Sequence, residues 1–106
     1  MNKRLQEEVE RMTRTCFELA RDKSPVLLRL TLYGDEAVYS FRENETFSRE
    51  EHNHITTEVA SRLEAAGIMV QLITIRIDEY INWLADNGLT DSQLARSQYA
   101  AIGGMP

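Results

Sequence analysis

Ten consecutive residues, Ile68-Met69-Val70-Gln71-Leu72-Ile73-Thr74-Ile75-Arg76-Ile77, set the strongest limit on what this chain can fold into. The run is rich in β-branched residues and apolar at both parities over its first half. A strand of that kind needs cover on both faces. With helices as the remaining bulk of the chain, a layered α+β domain follows.

Two amphipathic segments supply the cover. From Asn2 to Lys23, Leu5, Val9, Met12, Cys16 and Leu19 recur at steps of four, three, four and three, the stripe of one helix, which Phe17 and Ala20 widen. Pro25 is expected to close it, because a residue before proline is pushed out of helical geometry. The stripe is heptad-like, but Gln6, Thr13, Thr15 and Ala20 beside it lack the opposed charges of a coiled coil. Docking on a sheet is the expectation. Further on, Ser48-Arg49-Glu50-Glu51 has the form of a capping box. The helix it opens carries Ile55, Val59, Leu63 and Ala66, and Gly67 stands where a left-handed C-terminal cap is wanted.

Between these helices, Val26–Tyr33 and Glu36–Arg42 each alternate with period two, separated by Gly34-Asp35, a two-residue loop suited to a tight hairpin. Pairing Tyr33 with Glu36 sets Leu28, Leu30 and Leu32 opposite Phe41, Tyr39 and Ala37, all apolar. Residues 43–46 form a short polar loop. Asp78 caps a short helix carrying Tyr80, Ile81, Trp83 and Leu84, which stops at Asn87-Gly88. Thr90-Asp91-Ser92-Gln93 reads as a second capping box with Leu89 and Leu94 as its staple. The element order is therefore α-β-β-α-β-α-α. The expected sheet has three strands in order 2-1-3, mainly antiparallel, within one domain spanning 1–102. Residues 103–106 are read as a flexible tail.

Composition narrows the function classes. At 42% apolar and 27% charged residues in 106, the chain has the makings of one core. Cys16 is its one cysteine, which leaves no internal disulfide and no cysteine cluster for a metal. No run reaches the ~18–20 apolar residues of a membrane span, and the first residues carry no apolar signal-type segment. The cytoplasm is the expected location. Net charge is −5, concentrated between residues 35 and 64, where Glu50, Glu51 and Glu58 lie. Direct nucleic-acid contact is unfavourable there, since phosphate affinity comes from Lys and Arg.

Glu51, His54 and Glu58 share a helix face at i, i+3 and i+7, a spacing found in carboxylate metal sites. Yet they point away from the Ile55–Val59–Leu63 stripe, which fits a solvated acidic face better. None of the serines sits in a Gly-x-Ser-x-Gly elbow. No glycine cluster precedes the Lys-Ser/Thr of a phosphate loop. Asp35, Glu36 and Asp78 have no lysine nearby to complete a nuclease-like set.

Tyr80, Ile81, Trp83 and Leu84 cover a wider arc than one core-facing stripe requires, and Tyr99 and Ile102 extend it. Such aromatic anchors serve either a core or an interface. The sequence thus points to a non-catalytic protein-interaction domain without cofactor: a small regulator, adaptor or inhibitor that associates with itself or another protein. Partner contacts are expected from Tyr80, Trp83, Leu84, Tyr99, Glu50, Glu51 and Glu58. One alternative is an acidic mimic of nucleic acid that occupies a basic groove on a DNA- or RNA-handling protein. The other is a small metal-dependent enzyme using Glu51, His54 and Glu58.

Overall fold

The computed structural model describes residues 2–21, 27–42 and 46–102. The expected helix stop at Pro25, most of the polar loop at 43–46 and the tail at 103–106 lie outside them. Helix α1 spans Lys3–Arg21, strand β1 Leu27–Tyr33, and the short helix α2 Glu36–Tyr39. Helix α3 spans Arg49–Ala65, strand β2 Met69–Ile75, helix α4 Ile77–Asp86 and helix α5 Gln93–Ala101.

Among the described residues the sheet has two strands, β1 and β2, and they run parallel with Leu27 beside Met69 and Tyr33 beside Ile75. This corrects the expected three-stranded antiparallel sheet of order 2-1-3. The hairpin does not form. Gly34 instead carries β1 past the end of β2, donating its N–H to the Ile75 carbonyl at 2.8 Å. Asp35 turns extended and caps α2, its Oδ1 accepting from the Val38 N–H at 2.8 Å. Gly-Asp is as good a close approach followed by a helix cap as it is a hairpin turn. Once the chain does not reverse there, β1–α3–β2 becomes a direct crossover, and such a unit sets its strands parallel.

The alternation in 36–42 has a different meaning from the one expected. Val38 and Tyr39 are buried while Ala37 is exposed. Tyr39 and Phe41 do not share a surface with Leu28 and Leu30; they join the core on the other side of the sheet.

The two strands separate two cores. On one face, Leu28, Leu30 and Val70 pack against Val9, Cys16, Ile55, Val59 and Leu63, which join α1 to α3. On the other, Tyr33 and Ile75 meet Val38, Tyr39, Tyr80, Trp83, Leu84, Ala95 and Tyr99 from α2, α4 and α5. Helices thus pack on both faces, but cover the run at 68–77 unevenly: Ile73 and Ile75 are buried, while Met69 and Leu72 in its first half, where two-sided cover was expected, stay exposed.

Helix ends follow the sequence unevenly. The Ser48–Glu51 capping box is present in both directions, and Gly67 and Gly88 hold φ of 88° and 64°, where a side chain would be strained. Asp78 does not cap α4. Its first turn starts at Ile77, whose N–H donates to Asp35 Oδ2 at 3.0 Å, so one carboxylate serves two helices. The second capping box does not form: the helix starts two residues later than expected, with Ser92 as a simple cap accepting from the Ala95 N–H. Asp91 is drawn inward to the Tyr80 hydroxyl at 2.6 Å, the partner that a buried phenol needs.

Candidate functional site

A two-stranded sheet has two outer edges, and the chain treats them differently. The outer edge of β1 is closed at its Tyr33 end by side chains from the first turns of α3. Asn53 acts there as a strand would: its Oδ1 accepts from the Tyr33 N–H and its Nδ2 donates to the Tyr33 carbonyl, both at 2.9 Å. Arg49 Nη1 donates to the same carbonyl at 3.1 Å while its Nε holds Glu36 at 2.9 Å. One residue pair back along the strand, His52 bonds to the Thr31 backbone.

His52 stands between Tyr33 and Tyr39, with ring centroids 5.2 and 5.8 Å away. Arg42 Nη1 approaches its Nδ1 at 2.9 Å and lies over both tyrosine rings. A guanidinium can only donate, so the nitrogen facing it carries no proton. Burial, reinforced by the Arg42 charge, pulls the His52 pKa down to about 4, and the Thr31 bond opposes this only in part. The imidazole is neutral at physiological pH.

Arg42 and His52 also stand between two hollows. The larger, about 610 Å³, runs along the β1 edge between Met12, Thr31, Tyr33, Phe41 and Thr56 on one side and Asp91, Ser92 and Arg96 of the α5 entry on the other. The smaller, about 370 Å³, lies against α1 and reaches Cys16 and Phe47. In the larger hollow Asp91 is committed to Tyr80 and, at 3.4 Å, to Arg96. Among the described residues His52 has no carboxylate partner, so the acid–imidazole pairing of a general base is not assembled here. Burial raises the Cys16 pKa, which keeps its sulfur a thiol rather than a nucleophilic thiolate.

Among the described residues, the outer edge of β2 has no such closure. In the observed register, Gly34 N–H bonding to Ile75 O fixes which residues face inward: 69, 71, 73 and 75 turn their backbone toward β1. Val70, Leu72 and Thr74 therefore turn theirs outward, and no strand pairs with them among the described residues. The seven residues of β2 contain no charge and no proline, and Met69 and Leu72 keep 56% and 38% of their surface in solvent. Proteins usually protect such an edge with a lysine, a proline, a bulge or a cover. On β1 that cover is Asn53, Arg49 and His52.

The residues singled out from sequence fall into two groups. Tyr80 and Tyr99 are fully buried and Trp83 and Leu84 nearly so, stacked together in the core on the α4–α5 side. Their wide arc is explained by that layer, with Ile81 left at the surface. Glu50 is exposed on α3 and Glu58 is half-buried. Glu51 is occupied twice, by the Ser48 N–H at 2.9 Å and by Arg4 at 3.2 Å, and the Ser48 backbone bond chiefly lowers its pKa. Arg4 also reaches the Thr46 carbonyl and covers the Phe47 ring, tying α1 to the start of α3. Among the described residues, no three His, Cys, Asp or Glu side chains come together as a metal would need.

Sequence reasoning missed Asn53, Arg42, Asp35, Asp91 and Arg96. Asn53 gives no sequence signal, since its role depends on where β1 ends in space. Asp35 gave one, an acidic residue just ahead of a short apolar turn. No protein-family model matches the chain, and no curated protein matches it either. No described helix is long and apolar enough to cross a membrane.

Proposed function

We propose that this chain is a non-catalytic protein-interaction domain of the cytoplasm, a small regulator or adaptor that takes up an extended strand along β2. The observation that carries this reading is the contrast between the two sheet edges. One is closed at its Tyr33 end by an asparagine that mimics a peptide group; the other is uncharged, seven residues long and open among the described residues. Strand addition draws its affinity from main-chain hydrogen bonds and its specificity from alternate side chains. Val70, Leu72 and Thr74 provide the first, while exposed Met69 and Leu72 provide apolar contact.

The acidic-mimic reading rests on Glu50, Glu51 and Glu58, of which Glu51 is engaged within the chain by Ser48 and Arg4. The metal-enzyme reading shares Glu51 and has no assembled donor set among the described residues. Neither has a specific observation in its favour.

Amide hydrogen exchange tests the edge directly. In dilute protein, the N–H groups of Val70, Leu72 and Thr74 are expected to exchange quickly while those of Gln71, Ile73 and Ile75 are protected by β1. Slow exchange at all three outward positions under those conditions would show a covered edge and end the proposal.

A further inference from the structure

We infer that the larger hollow on the β1 side of the sheet binds a small organic anion, a carboxylate or phosphate ester on a flat apolar body, recognised through Arg96. This site stands apart from the β2 edge and holds whether or not that edge takes a strand.

At about 610 Å³ the hollow has the volume of a small-molecule site rather than of a packing void. Met12, Leu30 and Phe41 give it apolar wall, and the hydroxyls of Ser92 and Ser97 stand on the α5 side. A few convergent polar groups on such a wall are what fix a ligand's orientation.

Arg96 sets the class of that ligand. Its side chain lines the hollow and keeps only 15% of its surface in solvent. Among the described residues its guanidinium makes one bond, from Nη1 to Asp91 Oδ2 at 3.4 Å. Charge-assisted bonds of this kind normally close to about 2.7–2.9 Å. The Tyr80 hydroxyl accounts for the difference: it donates to Asp91 Oδ1 at 2.6 Å and draws the carboxylate toward the core. Asp91 therefore aims Arg96 without saturating it. The remaining donors of this planar fork suit the paired oxygens of a carboxylate or phosphate.

The strand adds a donor of its own. In the ladder fixed by Gly34 and Ile75, Leu30 and Leu32 turn their backbone toward β2, so Thr31 and Tyr33 turn theirs to the outer edge. Asn53 takes both groups of Tyr33. His52, with Nδ1 facing Arg42, has its one proton on the other nitrogen, which leaves it to donate to the Thr31 carbonyl. The Thr31 N–H then has no protein acceptor among the described residues, and Thr31 lines the hollow.

Acceptors are scarce by comparison. Asp91 is the one acid among the described lining residues, and both its oxygens are engaged. A cationic ligand would meet no open carboxylate there. The hollow thus favours anions, although the chain as a whole carries −5.

NMR titration of the isotope-labelled whole chain with phenyl phosphate and with benzoate tests this. Probes so small are expected to bind in the ~0.1–10 mM range, with saturable shifts at the Thr31, Arg96 and Ser97 amides and at Arg96 Nε–H. Saturation by one of the two identifies the anionic group; saturation by both shows that the shared oxygen pair is read. Benzyl alcohol, neutral and of similar shape, should bind about tenfold more weakly or worse. Arg96→Gln should weaken the bound anion about tenfold or more, and Arg96→Lys should recover only part, since the fork is lost. Asp91→Asn keeps an acceptor for Tyr80 but removes the competing charge, so it should strengthen binding several-fold. Thermal melts show that each variant still folds.

Four results would overturn the site: no saturation by either anion below about 10 mM, shifts at the exposed cations of α1 in place of the hollow, benzyl alcohol binding as well as the anions, or an affinity indifferent to Arg96→Gln. Were Arg96 to serve structure alone, Asp91→Asn would weaken binding in step with Arg96→Gln; that too would remove Arg96 from recognition. Inorganic phosphate binding as tightly as phenyl phosphate would overturn the apolar body.

Discussion

His52 shows how a single side chain is tuned by what surrounds it. Two tyrosine rings, a guanidinium and the β1 backbone leave room for a neutral imidazole and oppose a charged one. The ordinary pKa of histidine in the unfolded chain is 6.5, and the folded value is about 4. Between those values the unfolded chain binds more protons than the folded one, so stability rises with pH across that window. Stability from this group is complete above about 6.5 and is lost as pH falls toward 4. Denaturant unfolding across pH 4–7 should therefore show a decline on the acid side that His52→Gln flattens. An equal decline in the variant would assign the effect to the carboxylates. In the sequence His52 sits beside the Ile55–Val59–Leu63 stripe of α3, and nothing local singles it out. What could not be read was that β1 ends beside it.

At the scale of elements, the junction after β1 decides the fold. A side chain built on Gly34 would bring its Cβ to 2.9 Å from Arg76 Cγ, 3.0 Å from Thr74 Cγ2 and 3.2 Å from the Ile75 carbonyl oxygen. None of these is the free end of a flexible chain, so the two strand ends would have to part. Gly34→Ala is expected to cost ~1–3 kcal/mol through overpacking. Asp35→Ala should cost ~1–2 kcal/mol for each cap it removes, with both α2 and α4 loosened, and Asp35→Asn should restore part of this. Chemical denaturation measures both series; an effect of Asp35→Ala below about 0.5 kcal/mol, the range of neutral surface changes, would show that the shared cap is idle.

The same junction explains what was legible. Helices α1 and α3, with the Ser48 cap and Gly67, follow from local periodicity and local hydrogen bonds. So does β2, whose β-branched residues fit few other roles. The expected hairpin fails because period-two alternation over seven residues is too short to distinguish a strand from one helical turn plus a bend. Gly-Asp serves either outcome. The box expected to start at Thr90 fails for a similar reason: only the depth of Tyr80 shows that the Asp91 carboxylate is needed inside.

At the scale of the whole molecule, the body is flat, with extents of 38 × 33 × 17 Å and a radius of gyration of 14.3 Å, above the ~13 Å of a round domain of this length. A flat layered body with two strands leaves much of its sheet at the perimeter, and the perimeter is where the chain has arranged its contrasts. The helices carry charge while β2 carries none, so strand binding at β2 and acidic binding respond oppositely to salt. Screening between exposed charges reaches only ~10 Å at 0.1 M ionic strength. Raising salt should therefore leave a hydrogen-bonded, uncharged seam along β2 intact. The affinity of the chain for an added strand peptide, measured by titration, should hold steady or strengthen as sodium chloride is raised. Sulfate should strengthen it further by favouring apolar burial. Dissociation at high salt would mean that ion pairs hold the strand, which the seven uncharged residues of β2 cannot provide, and contact would then have to be sought on the acidic face of α3.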